Sequence, residues 1–298
     1  MEEDEVCGEG MMTAKNNLIP GWKYYNHAAI PTVAPHEMPD LSPVNDCSIW
    51  NIEGRKPLLV RYTTDWDCKQ DTDWWYLIRE TPFDIDALSK NSRKHIRAAF
   101  RKVKVEKIDP KEYVDALYEC YHQAYLGYKL ADNEESYESF KRRCEKSSFL
   151  GIEFWAAFAL DSGKLVGYMM LGRHEDWVEI YTSKFHPGYL NLCVSDALYA
   201  FVLDYYLNGQ HKKYVSSGTR SINHVTNTQE YKEHHFGYRK CFCRLHVIYR
   251  PRYKLIFKIL FLFRGLISIL GGRFTLIHRI AAVLKMEEIA RKSGRCDS

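Results

Sequence analysis

The stretch SSGTRSINH gathers Ser216, Ser217, Thr219, Arg220, Asn223 and His224 within nine residues. A guanidinium grips a carboxylate or phosphate through two parallel hydrogen bonds. Loops at strand ends in open α/β folds commonly carry such ligand contacts. A polar loop without a ligand is the alternative. Upstream, DWVEIYTSKF alternates so that Trp177, Glu179 and Tyr181 share one face. Aromatic neighbours raise a carboxylate's pKa toward the range of a general base. On a half-exposed sheet the same carboxylate is only a solvated charge. His186 and His224 are proton carriers or ordinary histidines.

The next stretch, FHPGYLNLCVSDALYAFVL, reads as a loop running into an amphipathic helix from about Leu192 to Leu207. The first N–H groups of such a helix, with its dipole, face whatever anion lies before it. Gly188 allows close backbone approach, and Asn191 or Ser195 can cap the helix. Pro187 removes a donor, and Tyr189 and Leu190 are bulky. A phosphate loop and a plain turn both remain open. Lys90, Lys94, Arg97 and Arg101 share one face of another helix, either solvated or anion-binding.

These residues need elements to hold them. Strands are expected at PLLVRYTT and WWYLIRE, then a helix in LSKNSRKHIRAAFRK. From Val103 the order reads β-α-α-β-β-β-α-β-α-β, with one helix starting at Pro110 and YRKCFCRLHVIYR as a single last strand. An antiparallel meander followed by a crossover helix and a parallel neighbour implies a mixed α/β sheet. Five prolines between Leu18 and Val44 exclude a long helix there.

That order resembles the GNAT acyltransferase fold. LSKNSRKHIRAAFRKVKVEKI is similar to the entry into the second lobe of FemAB-like transferases, and TNTQEYKEHHFGYRKCFCRLHVIYRP to their closing helix, turn and strand. The resemblance covers about Leu18 to Pro251. It implies an α/β (α+β mixed-sheet) fold: a GNAT-like core, a smaller GNAT-like N-terminal lobe and a C-terminal helical extension. It places the acyl donor where the fourth strand splays from the fifth. It implies Glu179 as general base and Tyr231 as the acid that protonates the leaving group, with a packing tyrosine as the other reading of Tyr231. Gly188, Tyr189, Asn191 and Ser195 would bind the cofactor. Tyr181, Ser217, Arg220, Asn223 and His224 would bind the substrate. The donor is acyl-coenzyme A or, as in FemAB-like enzymes, aminoacyl-tRNA. HPGYLNL stands where the usual R/Q-x-x-G-x-G/A run would be, which counts against a standard acetyl-coenzyme A enzyme.

The expected division is an acidic disordered tail (1–17), an N-terminal lobe (18–101), the core (102–251) and a basic amphipathic extension (252–298). The chain of 298 residues carries a net +4, but Tyr238–Ser298 holds 14 Lys and Arg against 3 Asp and Glu. Such a basic end suits an anionic surface. Leu255 to Leu270 is nearly apolar but contains Lys258 and Arg264, and is too short to favour a membrane crossing. Either it lies in an anionic bilayer surface or it docks on the protein, with Gly271-Gly272 as a turn. Nine scattered cysteines lack disulfide or zinc spacing, so no metal is expected and a reducing cytosol is. The leading expectation is transfer of an acyl or aminoacyl group to an amine on a cell-envelope glycan or peptidoglycan precursor, in the cytoplasm or peripheral to the membrane. The alternatives are a small-molecule N-acetyltransferase and a non-catalytic lipid- or partner-binding shell. No nucleic acid other than tRNA as donor is expected.

Overall fold

The computed structural model describes residues 18–127, 134–222, 227–271 and 275–293. The expected acidic tail, Asn223, His224 and Gly272 lie outside them. In chain order the elements are β1 (Trp22–Tyr25), β2 (Ala28–Pro31), α1 (Ser42–Asn45), β3 (Leu59–Thr64), β4 (Trp75–Arg79), α2 (Lys90–Phe100) and β5 (Val103–Ile108). Then come α3 (Val114–Leu126), α4 (Tyr137–Lys146), β6 (Ile152–Ala159), β7 (Leu165–Arg173), β8 (Trp177–Phe185) and α5 (Val194–Leu203), which runs on as a π-helical turn to Gly209. The rest are β9 (Tyr214–Thr219), α6 (Thr228–Phe236), β10 (Arg239–Phe242), β11 (Arg244–Tyr249), α7 (Pro251–Leu262), α8 (Arg264–Gly271) and α9 (Thr275–Ser293).

Contacts divide the chain into two compact units: Trp75–Cys241, and the residues before and after it. The expected boundaries near 101 and 251 fall elsewhere for a hydrogen-bonding reason. β4 pairs with β9 and so joins the large unit, while β11 pairs with β3 and so joins the small one. The expected single last strand is therefore two, β10 and β11, each in a different sheet. Between them the Cys243 N–H donates to the Trp74 carbonyl.

The large unit is a seven-stranded mixed sheet in the order β10-β4-β9-β8-β7-β6-β5. Its β7 is buried at every residue but the last and β6 through its middle, as strands covered on both faces must be. One face packs under α2 and α5 through Ile96, Ala99, Leu198 and Val202 with Met169, Val178 and Ile180. The opposite face packs under α3 and α4 through Leu117, Cys120 and Phe140 with Phe154, Tyr168 and Met170. Ser89 caps α2 by accepting from the Ser92 N–H at 3.2 Å. The basic stripe of α2 is exposed, and its Arg97 pairs with Asp86 at 2.5 Å. Pro110 does not start α3, whose N-cap is Tyr113.

The small unit is a four-stranded sheet, β1-β2-β3-β11, around Trp22, Ile49, Trp50, Ile52 and Val60. Here β2 and β3 are parallel and the other pairs antiparallel. Its helix α9 docks with Leu284 and Ile289 buried, and Arg61 reaches Met286 at 3.7 Å. The Phe257 ring of α7 stacks on Tyr249 of β11 at 4.3 Å.

Gly167 in β7 lies beneath the start of α5. A Cβ there would meet Val194 Cγ1 at 2.7 Å, Phe185 Cδ1 at 3.1 Å and the Lys184 carbonyl at 3.2 Å. Gly167→Ala is expected to lower unfolding free energy by about 1–3 kcal/mol through overpacking. Thermal unfolding reads this as a fall in Tm, and an unchanged Tm would contradict this seating of α5.

Candidate functional site

Strands β8 and β9 run parallel through only three pairs, Trp177↔Tyr214, Val178↔Val215 and Glu179↔Ser216. Beyond that point β8 continues to Phe185 and β9 to Thr219 without pairing to each other. The cause is visible in the other ladder of β8. Ile180 pairs with Leu171 and Thr182 with Met170, which leaves Tyr181 as an extra residue. Such a bulge bends its strand and increases its twist. It stands two residues past the last β8/β9 pair. Beyond Glu179 and Ser216 the two strands therefore share no ladder.

The fork divides the expected site residues between two faces. Val178 and Ile180 belong to the core under α5, so Glu179 and Tyr181 point the other way. Glu179 stands at the last paired position, half-buried, with Trp177 on the same face stacked on His174 at 4.0 Å. Tyr181 is 43% exposed, with its hydroxyl over Gly172. Burial, then the Glu179 charge, raises its pKa.

On the α5 face lie Ser183, Tyr199, Ser217 and a residue that sequence reading missed, Lys232 of α6. The Ser183 and Tyr199 hydroxyls are 3.3 Å apart. Lys232 is only 7% exposed, donates to Ser217 Oγ and sits 5.3 Å from the Tyr199 ring centroid. Among the described residues it has no carboxylate partner. A buried ammonium held by one hydroxyl and one ring is costly unless an anion completes its shell. The signal available in the sequence was spacing: Lys232 lies four residues before Phe236, on the buried face of α6.

The polar loop after β9 is partly engaged. Arg220 lies over the Trp75 ring at 4.8 Å, and Lys240 lies over the same ring at 4.7 Å. Ser216 is buried and accepts from the Gly218 N–H at 3.1 Å, with Gly218 at φ +82°. Asn223 and His224 are outside the described residues.

The loop before α5 turns its donors inward. His186 Nδ1 accepts from the Gly188 N–H at 3.1 Å, the Tyr189 N–H bonds the His186 carbonyl, and the Cys193 N–H bonds the Leu190 carbonyl. Burial, then Lys164, lowers the His186 pKa, which suits this neutral acceptor role. The Tyr189 ring packs edge-on against His186 at 5.1 Å and lies under Lys164 at 5.5 Å. The helix starts later than expected, at Val194. Its N-cap is Cys193 in the left-handed region (φ +56°), and neither Asn191 nor Ser195 caps it. The first turn instead carries Asp196, which is 4% exposed with one carboxylate oxygen unpartnered. A carboxylate of the chain itself therefore meets the positive end of α5. Loop and helix start do not fit a pyrophosphate cradle of the coenzyme A kind.

Tyr231 is held by neighbours on α5, with its hydroxyl 3.2 Å from Ser195 Oγ and hydrogen-bonded to Asp196. Burial, then Asp196, raises its pKa well above the usual tyrosine value. His95, Cys193 and Asp196 bring donor atoms within 4.8 Å of one another. Such a mixed N, S and O set is one that borderline-soft cations accept, though it comes from separate segments whose spacing announces no motif.

Burial raises the Asp196 pKa above its ordinary 3.8, outweighing Tyr231 and the histidines. Its protonated form thus favours folding at low pH, and that contribution is lost as pH rises through the folded-state value. Asp196→Asn is expected to raise Tm at pH 7.5, with the gain shrinking as pH falls toward 3.8. Paired melts across that range test it, and a Tm lowered at pH 7.5 would contradict it.

Solved structures of similar fold include FemX, at 9% identity over 79% of this chain and 85% of that one, with a TM-score of 0.53. L-PGS from Bacillus licheniformis is 14% identical over 80% and 82%, with a TM-score of 0.44. The PaiA N-acetyltransferase from Thermoplasma acidophilum in complex with coenzyme A is 20% identical over 34% and 72%, with a TM-score of 0.25. No family model and no curated protein sequence matches the chain. The likeness to FemX is one of fold. With its mixed sheet, parted parallel strands and crossover helix, the chain has a fold like that of FemX.

Proposed function

We propose that the protein transfers an acyl or aminoacyl group to an amine, with the β8/β9 fork as the donor slot. The observation that carries this reading is the buried Lys232 ammonium beside Ser217, just past the point where the strands part. An arm bearing amide or ester groups can lie between the parted strands and bond their backbone edges. When the amine nitrogen attacks the acyl carbonyl, the oxygen gains negative charge. A preformed cation in a dry site stabilises that charge more than water does. The C–N bond forms, the bond to the leaving oxygen breaks, and the amine proton passes by way of Glu179 to that oxygen, which departs as a hydroxyl.

The inward-turned loop and the Asp196 carboxylate favour an aminoacyl ester donor, of the aminoacyl-tRNA kind, over a coenzyme A thioester. Arg220 and Ser217, with Asn223 and His224 as expected from sequence, form the substrate side. Tyr231 serves to hold α6 against the first turn of α5. The acceptor class is the amine of a cell-envelope glycan or peptidoglycan precursor, which rests on the FemAB-like resemblance.

The test is transfer of a labelled group from aminoacyl-tRNA or acyl-coenzyme A to an amine-bearing peptidoglycan precursor. Lys232→Met is expected to lower kcat by roughly 10²–10³-fold, the usual loss for an oxyanion donor, without lowering Tm. Wild-type turnover by this variant would overturn the role of Lys232. Coenzyme A at about 100 times its Kd would stabilise a specific complex by about 2.7 kcal/mol. A shift of that size would overturn the preference for an ester donor.

A further inference from the structure

The C-terminal helices divide their work, and one side of α7 and α8 is left exposed among the described residues. α9 is anchored by Leu284 and Ile289, while α7 packs inward through Phe257 on Tyr249 and Phe261 beneath Arg291 at 4.0 Å. The other side of α7 and α8 is apolar and bare. Leu255, Leu262 and Ile269 are 67%, 74% and 77% exposed, with Ile259 and Leu266 also exposed between them. Spacing of four and three residues puts Leu255, Ile259 and Leu262 on one side of α7, and spacing of three puts Leu266 and Ile269 on one side of α8. With Ile256 the exposed apolar side of α7 covers an arc of roughly 120° on an ideal helix.

The charge beside this stripe tells what covers it. Residues 250–271 contain Arg250, Arg252, Lys254, Lys258 and Arg264 and no acidic residue. Lys254 and Lys258 are exposed, have no ion-pair partner among the described residues, and flank one edge of the apolar arc. A protein partner would need a groove for the stripe and carboxylates at its rim. An anionic bilayer supplies both chemistries at once, with acyl chains for the leucines and headgroup phosphates for the lysines. No helix among the described residues is long and apolar enough to cross a membrane. We propose that the α7–α8 face is a docking surface for an anionic phospholipid membrane, on which the protein lies peripherally. The inference is independent of the acyl-transfer reading, since it rests on no residue of the β8/β9 fork.

The experiment is co-sedimentation of the full chain with vesicles of phosphatidylcholine alone and with about 30% phosphatidylglycerol added. Binding is expected to the anionic vesicles and not to the neutral ones. Raising salt from about 0.1 M to about 1 M shortens the screening length from roughly 10 Å to 3 Å and should release much of the protein. Lys254→Glu with Lys258→Glu, and separately Leu262→Glu with Leu266→Glu, should each weaken partition by about tenfold or more. All four side chains are exposed, so Tm should stay at the wild-type value. If either variant misfolds, the salt series on the unaltered chain still decides. Equal binding to neutral vesicles, no binding at all, or salt-insensitive binding overturns the proposal. So does a dimer in sedimentation velocity that Leu262→Glu with Leu266→Glu dissociates, because the stripe would then face a second copy.

Discussion

Everything proposed for the large unit depends on the parting of β8 from β9 after Glu179 and Ser216. A parallel pair with continuous register would close its backbone groups on each other. One extra residue, Tyr181, prevents this by bending β8 while its other edge stays bonded to β7. The sheet remains continuous on both sides of the fork, because β9 turns to β4 instead. The opening is therefore built into a rigid framework rather than into a loop. Binding and catalytic groups on such a framework need little rearrangement when a substrate arrives.

Two buried ionisable groups stand on the α5 side of that framework, and each breaks an ordinary rule of cores. Lys232 places a cation under a ring and a hydroxyl, and Asp196 places a carboxylate at a helix start with one oxygen unpartnered. Buried charges of this kind oppose folding, and such departures from the rules of cores concentrate at functional sites. Asp196 also explains why the loop before α5 departs from a phosphate cradle. The positive end of the helix already faces a negative group, and the loop N–H groups of Gly188, Tyr189 and Cys193 are bonded within the loop itself.

The small unit shows a different balance. Its sheet takes its fourth strand from residues 244–249, far along the chain from β1 to β3, and α9 covers that strand. The apolar residues of the C-terminal segment thus fall into two classes. Those of α9 and the inner side of α7 complete a core, and those along the outer side of α7 and α8 do not. An exposed apolar stripe with flanking lysines is a feature of surface association rather than of folding.

The sequence by itself determined the elements of the large unit. Alternation in residues 176–185, helical spacing in residues 90–100 and the order from Val103 onward are local patterns, set by side-chain periods of two and 3.6 residues. Those patterns carried the mixed sheet and the resemblance to acyltransferases. Tertiary structure decided what no local pattern encodes. The extra residue at Tyr181 is defined only against its partner strand. Division of one apparent strand into β10 and β11 depends on which strands offer unpaired edges, β4 for one and β3 for the other. The burial of Lys232 and Asp196 arises from segments distant in the chain, and a lysine one residue from Tyr231 looks like any surface lysine until Tyr199 and Ser217 are placed around it. Periodicity fixes which residues face inward. Only packing fixes what they meet there.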